Sequence, residues 1–238
     1  METKGKLYLI PNTLGESSLE EVIPNGNIDK ILKIKHFIVE DLRNARRFLS
    51  KAGWRGSIEE LEFYELNEHS KPRDIIKHLD KAAEGIDIGL LSDAGTPCVA
   101  DPGADIVAMA HSKGIQVVPL VGPSSILLAL MASGFNGQNF TFLGYLPRER
   151  GNRERSIKDL EKKIFRLHQT QIFIETPYRN NQMLESLAKS CSPSTRICVA
   201  TDLSLETETI ISQTAEEWKK MYQNIDIHKR NTIFLMYK

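Results

Sequence analysis

The chain has 238 residues, 41% hydrophobic and 26% charged. That is enough apolar material for a buried core, which excludes a disordered chain, and on a prior of roughly 100–200 residues per domain it favours two domains over one. The 31 basic and 31 acidic residues cancel, so there is no general basic excess to hold nucleic acid, and any such contact must be local. No apolar run approaches the ~20 residues of a membrane span, and METKGKLYLIPN lacks the apolar stretch of a signal peptide, which predicts a cytoplasmic protein with no membrane partner. Cys98, Cys191 and Cys198 form no CxxC pair and the six histidines form no HExxH, which speaks against a disulfide framework and against a metal.

Lys6 to Ile10 reads as a first buried strand, turned by Pro11-Asn12-Thr13-Leu14-Gly15. Phe37 to Val39 is a second. Glu40, Asp41 and Arg43 follow at its C-terminal end, where sheets bind ligands, so a substrate role stands beside that of a capping acid and a solvated basic face. The next helix, Asn44 to Ala52, sets Arg46 and Arg47 near Arg43. Leu61 to Leu66 is a third strand candidate. Lys71 to Glu84 has the spacing of an amphipathic helix, with Ile75, Ile76, Leu79 and Ala83 inward and His69 and His78 at the surface. Gly85 ends it.

Ile86 to Leu91 is short, apolar and bounded by turn residues, the mark of a strand buried on both faces of a parallel sheet. Ser92-Asp93-Ala94-Gly95-Thr96-Pro97 and then Asp101-Pro102-Gly103 lead into a helix from Ala104 to Lys113, stopped by Gly114. Ile115 to Leu120 is the next strand. Gly122-Pro123-Ser124-Ser125 opens an apolar helix, Ile126 to Ser133, which Ser124 or Ser125 is placed to cap. Ligands in open α/β sheets bind beyond the carboxyl ends of strands, where glycine lets them approach the backbone, so these turns suggest one cleft.

The pattern shifts near Val121, which predicts domains of 1–121 and 122–238. Phe140 to Tyr145 is an aromatic strand. Residues 146–155 read as a charged loop: if a nucleic acid binds, its phosphates meet Arg148, Arg150, Arg153 and Arg155, with two glutamates weakening their field, and otherwise the loop is a mobile charged one. A helix from Ile157 to Leu167, strands at Gln171 to Ile174, Arg196 to Thr201, Thr207 to Gln213 and Thr232 to Tyr237, and a helix from Ala215 to Tyr222 complete the chain. The fold class is α/β, with a mainly parallel N-terminal sheet and a mixed C-terminal one. No GxGxxG follows the first strand and no GxxxxGK[ST] occurs, so a dinucleotide or nucleoside triphosphate enzyme is not expected.

SDAGTP, DPG and VPLVGPSS, with FLGYLP at 142–147 and IETPYR at 174–179, resemble the tetrapyrrole methylase superfamily, and within it the branch that methylates a ribose 2′-oxygen of 16S ribosomal RNA. The resemblance runs from about Lys6 to about Lys220. It implies S-adenosylmethionine in a cleft between two domains, held at Leu91, Asp93, Ala94, Gly95, Val99 and Asp101 in the first turn, at Ser124 and Ser125 in the second, and at Tyr178, Leu203 and Thr214 from the second domain. It also implies a homodimer. Three places depart from the RNA branch: 11–16 for its Pro-x-Gly-Asn-Leu, Glu175-Thr176-Pro177-Tyr178-Arg179 for Glu-Ser-Pro-His-Arg, and Ala200 to Leu205 for Ala-Arg-Glu-Leu-Thr-Lys.

Methyl transfer needs an in-line approach, and a ribose hydroxyl must also lose a proton. Asp93, Asp101 and Glu40 are the candidate bases, between which the sequence does not choose. Asp101 before Pro-Gly also suits a turn former, and Asp93 an acceptor for its own loop. Asp41, Arg43 and the four arginines of 148–155 are the expected RNA contacts, with ribosomal RNA or the small subunit as partner. The alternatives are the same chemistry on a small molecule such as a tetrapyrrole, which zero net charge favours, and a member that binds without transferring methyl groups.

Overall fold

Four of the five strands in the N-terminal half are no more than four residues long, and all of them pair in parallel. They are β1 (Lys6–Ile10), β2 (His36–Val39), β3 (Glu62–Glu65), β4 (Ile88–Leu91) and β5 (Gln116–Pro119), in the order β3-β2-β4-β1-β5. The computed structural model describes residues 4–66, 70 and 77–238. By its contacts the chain falls into two units, Met1–Ser124 and Ser125–Lys238. Every residue of the central β4 is buried, as a strand covered on both faces requires.

The helices of this unit are α1 (Leu19–Val22), α2 (Asn25–Ile31), α3 (Leu42–Lys51), α4 (Asp80–Ala83) and α5 (Ala104–Ser112). On α3, Ala45, Phe48 and Leu49 are buried at i, i+3 and i+4, and the Asp41 carboxylate caps the first turn by accepting from the Asn44 amide at 2.8 Å. The expected helix at 71–84 loses part of its basis, because His69, Ile75 and Ile76 lie outside the described residues. Within the remainder Ala82 faces inward beside Leu79 while Ala83 is exposed, and His78 stacks on Tyr64 at 4.3 Å. The short α1 and α2 were not expected.

The C-terminal unit holds β6 (Phe140–Tyr145), β7 (Thr170–Ile174), β8 (Arg196–Thr201), β9 (Thr209–Thr214) and β10 (Thr232–Tyr237) in the order β6-β7-β10-β8-β9. Only β6 and β7 pair in parallel, so this sheet is mixed. Its helices are α6 (Ser125–Ser133), α7 (Arg150–Leu167), α8 (Asn180–Ser190) and α9 (Ala215–Met221). Ile157, Leu160 and Ile164 of α7, Met183, Leu184 and Leu187 of α8, and Trp218 of α9 fill one core, each worth roughly 1.5–3 kcal/mol of burial or more. The Trp218 indole donates to the Ile197 carbonyl at 2.9 Å, so its one polar atom is not stranded there.

One expectation fails here, and one element was missed. The charged stretch does not stay a loop through residue 155: α7 starts at Arg150, because Glu149 accepts from the amides of Gly151 and Asn152 and Arg150 pairs with Glu154 one turn on. The helix α8 was not foreseen behind the rigid Pro177 turn.

Candidate functional site

Parallel order brings every strand of the N-terminal unit to an end at one edge, and four turns meet there: residues 11–16 after β1, Glu40 and Asp41 after β2, 92–95 after β4, and 120–123 after β5. Asn12 joins the first turn to the third. Its amide donates to the Gly95 carbonyl at 2.9 Å, the Gly95 amide returns a bond of 3.2 Å, and Asn12 Nδ2 donates to the carbonyls of Ser92 and Asp93, both at 3.2 Å. Gly95 has φ +66, and a Cβ there would stand 3.0 Å from Leu14, so a side chain meets both strain and contact. At Gly122 a Cβ would lie 2.2 Å from Pro11 Cγ, so the bare backbone of the fourth turn rests on the Pro11 ring of the first.

Glu40, Asp93 and Asp101 share this edge, and Glu40 feels the charges of the other two. Burial pushes the Glu40 carboxyl up to about 7, and the charges of Asp101 and Asp93 push it the same way. Asp93 is raised as well. Burial leads there, and the Asp41 charge adds to it against the hydrogen bond that Asp93 Oδ2 accepts from Asn44 Nδ2 at 3.1 Å. Asp101 Oδ1 instead accepts from the amides of Gly103 at 2.8 Å and Cys98 at 3.2 Å, holding a loop in which Cys98 and Ala100 both have positive φ. Burial, and secondarily Asp101, lifts the Cys98 thiol to about 11, which keeps it protonated at neutral pH. Among the described residues no cation pairs with Glu40, Asp93 or Asp101, and no three acidic, His or Cys side chains are arranged to hold a metal ion. Glu40 accepts no hydrogen bond from the described residues, so of the three it has the freest carboxylate.

The other expected site residues fall into separate places. Leu91 is buried, Ala94 and Val99 are exposed, and Ser124 and Ser125 stand at the start of α6. Arg43 is exposed one residue into α3. Arg148, Arg150 and Arg155 are exposed at the start of α7, but Arg153 is 4% exposed, donating from Nε to Ser186 Oγ at 3.0 Å and from Nη1 to the Arg148 carbonyl at 2.9 Å. It is a clamp of the fold, so the four arginines do not form one surface. Tyr178 is exposed, with His228 edge-on at 5.9 Å and Lys229 Nζ 5.6 Å from its ring centre. Leu203 is buried between Asp202 and Ser204, both at positive φ. Thr214 is not brought to it. The β8–β9 register pairs Thr201 with Thr209 and Arg196 with Thr214, so Thr214 lies five residues along the strand, about 17 Å away, capping α9 with Glu217.

The sequence reading missed Asn12 and Asn44, whose amides position the Asp93 turn, and Lys51, which joins Arg47 in a pocket of about 150 Å³ beside it.

A model of the tetrapyrrole (corrin/porphyrin) methylases matches residues 26–219. The chain belongs to this family. As a tetrapyrrole methylase it is a methyltransferase, the class that its motifs implied. The ribosomal RNA small subunit methyltransferase I of Vibrio cholerae is 29% identical to it over 230 residues, 97% of this chain and 76% of that one. The enzyme of that name from Bacillus subtilis is 32% identical over 215 residues, 90% of this chain and 68% of its own. Among solved structures, the methyltransferase CobJ superposes with a TM-score of 0.63 at 18% identity, covering 98% of this chain and 94% of its own. Uroporphyrin-III C-methyl transferase from Thermus thermophilus, complexed with S-adenosyl homocysteine, gives 0.60 at 14% identity, with 98% of each chain covered. These two share the tetrapyrrole methylase fold seen here: a parallel first sheet and a mixed second one.

Proposed function

We propose that this tetrapyrrole methylase transfers a methyl group from S-adenosylmethionine to a ribose 2′-oxygen of small-subunit ribosomal RNA. The relatives named for that RNA support the substrate class, and the observation that carries the 2′-oxygen is Glu40. A hydroxyl must give up a proton as it is methylated, and Glu40, with a free carboxylate and a pKa near 7, is matched to take it at neutral pH. Asp101 is occupied with its loop, and Asp93 is held by Asn44; burial raises Glu40, and their charges add to it.

The donor set fits the cofactor. S-adenosylmethionine supplies an electrophilic methyl on a cationic sulfonium, and Glu40, Asp93 and Asp101, with which no cation pairs among the described residues, favour a positive charge beside them. The backbone of Ala94 and Gly95, with Leu91 and Val99, would line it, and the hydroxyls of Ser124 and Ser125 suit its carboxylate. Asp41, Arg43, Arg148, Arg150 and Arg155 are assigned to the RNA. Two copies are expected to associate through α6, where Leu127 and Met131, one turn apart, are 51% and 79% exposed. A ribosomal substrate places the enzyme in the cytoplasm. Among the described residues no helix is long and apolar enough to cross a membrane.

The test is transfer of labelled methyl from S-adenosylmethionine to small ribosomal subunits from cells lacking this modification, with the labelled nucleotide located by mass spectrometry. Label on a 2′-oxygen supports the reading. Binding of the cofactor without transfer to the subunit favours the small-molecule alternative, to which the balanced net charge points.

A further inference from the structure

Arg47 and Lys51 are four residues apart on α3, so the helix holds their cationic ends side by side. The turn after β1 delivers one carboxylate to both. Glu16 Oε2 lies 2.8 Å from Lys51 Nζ, and Glu16 Oε1 lies 3.4 Å from Arg47 Nη1, one oxygen for each cation. Two oxygens on one anionic centre facing two cations is also the arrangement that a phosphodiester presents. We propose that Arg47 and Lys51 are a seat for a backbone phosphate of the RNA acceptor, and that Glu16 fills it as an internal competitor which the RNA displaces.

Three observations point to an occupant beyond Glu16. The pair borders a pocket of about 150 Å³ with an apolar floor of Leu14, Leu19 and Phe48 and the amides of Asn12 and Asn44 on its wall, a lining suited to the sugar and base attached to a phosphate. The same pocket reaches Asp93, so a nucleotide seated there lies against the carboxylate edge. Finally, the Glu16 side chain is 75% exposed, so the ion pairs that hold it are screened and exchange readily. In a chain with no net charge, releasing two cations only where RNA docks makes a local contact without a general affinity for polyanions.

This inference rests on the proposed RNA acceptor. Its test measures KM and kcat for methyl transfer to small ribosomal subunits at rising potassium chloride, using Glu16→Gln, Lys51→Met and Lys51→Arg, with S-adenosylmethionine affinity and thermal midpoint recorded for each. Glu16→Gln is expected to lower KM about threefold. Lys51→Met should raise KM about tenfold and reduce the slope of log KM against log salt by roughly 0.7–0.9, the loss of one phosphate contact, with Lys51→Arg restoring both. Cofactor affinity stays at the parent value in all three. If Glu16→Gln lowers the thermal midpoint and leaves KM alone, Glu16 is a structural tie and the inference is overturned. A parent protein that methylates no subunit overturns the RNA reading instead, and tighter binding of a polycarboxylate by Glu16→Gln would assign the seat to a small molecule.

Discussion

Replacing Glu40 with Gln removes one titrating group and keeps its shape, which separates its electrostatics from its packing. A carboxyl moved from an ordinary 4.5 to about 7 costs about 3 kcal/mol when ionised, at roughly 1.4 kcal/mol for each tenfold change. Glu40 is only half-buried, and solvent screening brings this to about 1–2 kcal/mol. The sign follows from proton binding: the folded chain holds this proton more tightly than the unfolded chain, so stability falls as pH rises from 4.5 to 7, and the cost persists above 7. Glu40→Gln should therefore be about 1–2 kcal/mol more stable than the parent at pH 8, a gain of about 3–6 °C in Tm, and should show no gain at pH 4.5. Calorimetry at the two pH values reads the difference. In the transfer assay, the parent's log kcat/KM should rise with a slope near one and level off near pH 7; the variant should lose that limb and about 10²–10⁴ of the rate. An equal Tm gap at both pH values, or an unaltered pH limb in the variant, would refute the reasoning.

Asn12→Ala breaks two bonds that hold the Asp93 turn and should cost about 1–3 kcal/mol in urea unfolding, with weaker S-adenosylmethionine binding by calorimetry. Arg153→Met leaves Ser186 and the Arg148 carbonyl without their donor and should also lose about 1–3 kcal/mol, whereas Arg155→Ala should stay within about 0.5 kcal/mol in the same melt and instead raise KM for the ribosomal substrate. Leu127→Asp with Met131→Asp should convert a sedimenting species of twice 26.9 kDa into one of 26.9 kDa; a parent that already sediments as a monomer would dismiss the α6 interface.

The parallel sheet was legible because its strands are short apolar runs that each end in turn residues. For the same reason Glu40, Asp93 and Asp101 could be placed at one edge: each follows a strand, and parallel strands end together. What local pattern cannot carry is a partner far along the chain. Asn12 acts on carbonyls 80 and 81 residues away, Asn44 on a carboxylate 49 away, and Glu16 on a cation 35 away. The place of Thr214 was not legible either, since the strand pattern gave no register to say that it stands opposite Arg196. Arg153 looked like its exposed neighbours because burial depended on α8, whose apolar spacing at Met183, Leu184 and Leu187 lay behind a polar start that masked it.

The Asn12–Gly95 bridge bears on how such an enzyme diverges. It is made by main-chain atoms, so it fixes the path of the turn after β1 while leaving the side chains at Thr13, Leu14 and Glu16 unconstrained by it. A lineage can exchange those side chains, as this chain has done relative to the Pro-x-Gly-Asn-Leu pattern, without rebuilding the loop that carries Asp93. On the proposed RNA reading, acceptor preference becomes a replaceable part mounted on a fixed frame, and residues 13–16 are the segment to graft between relatives.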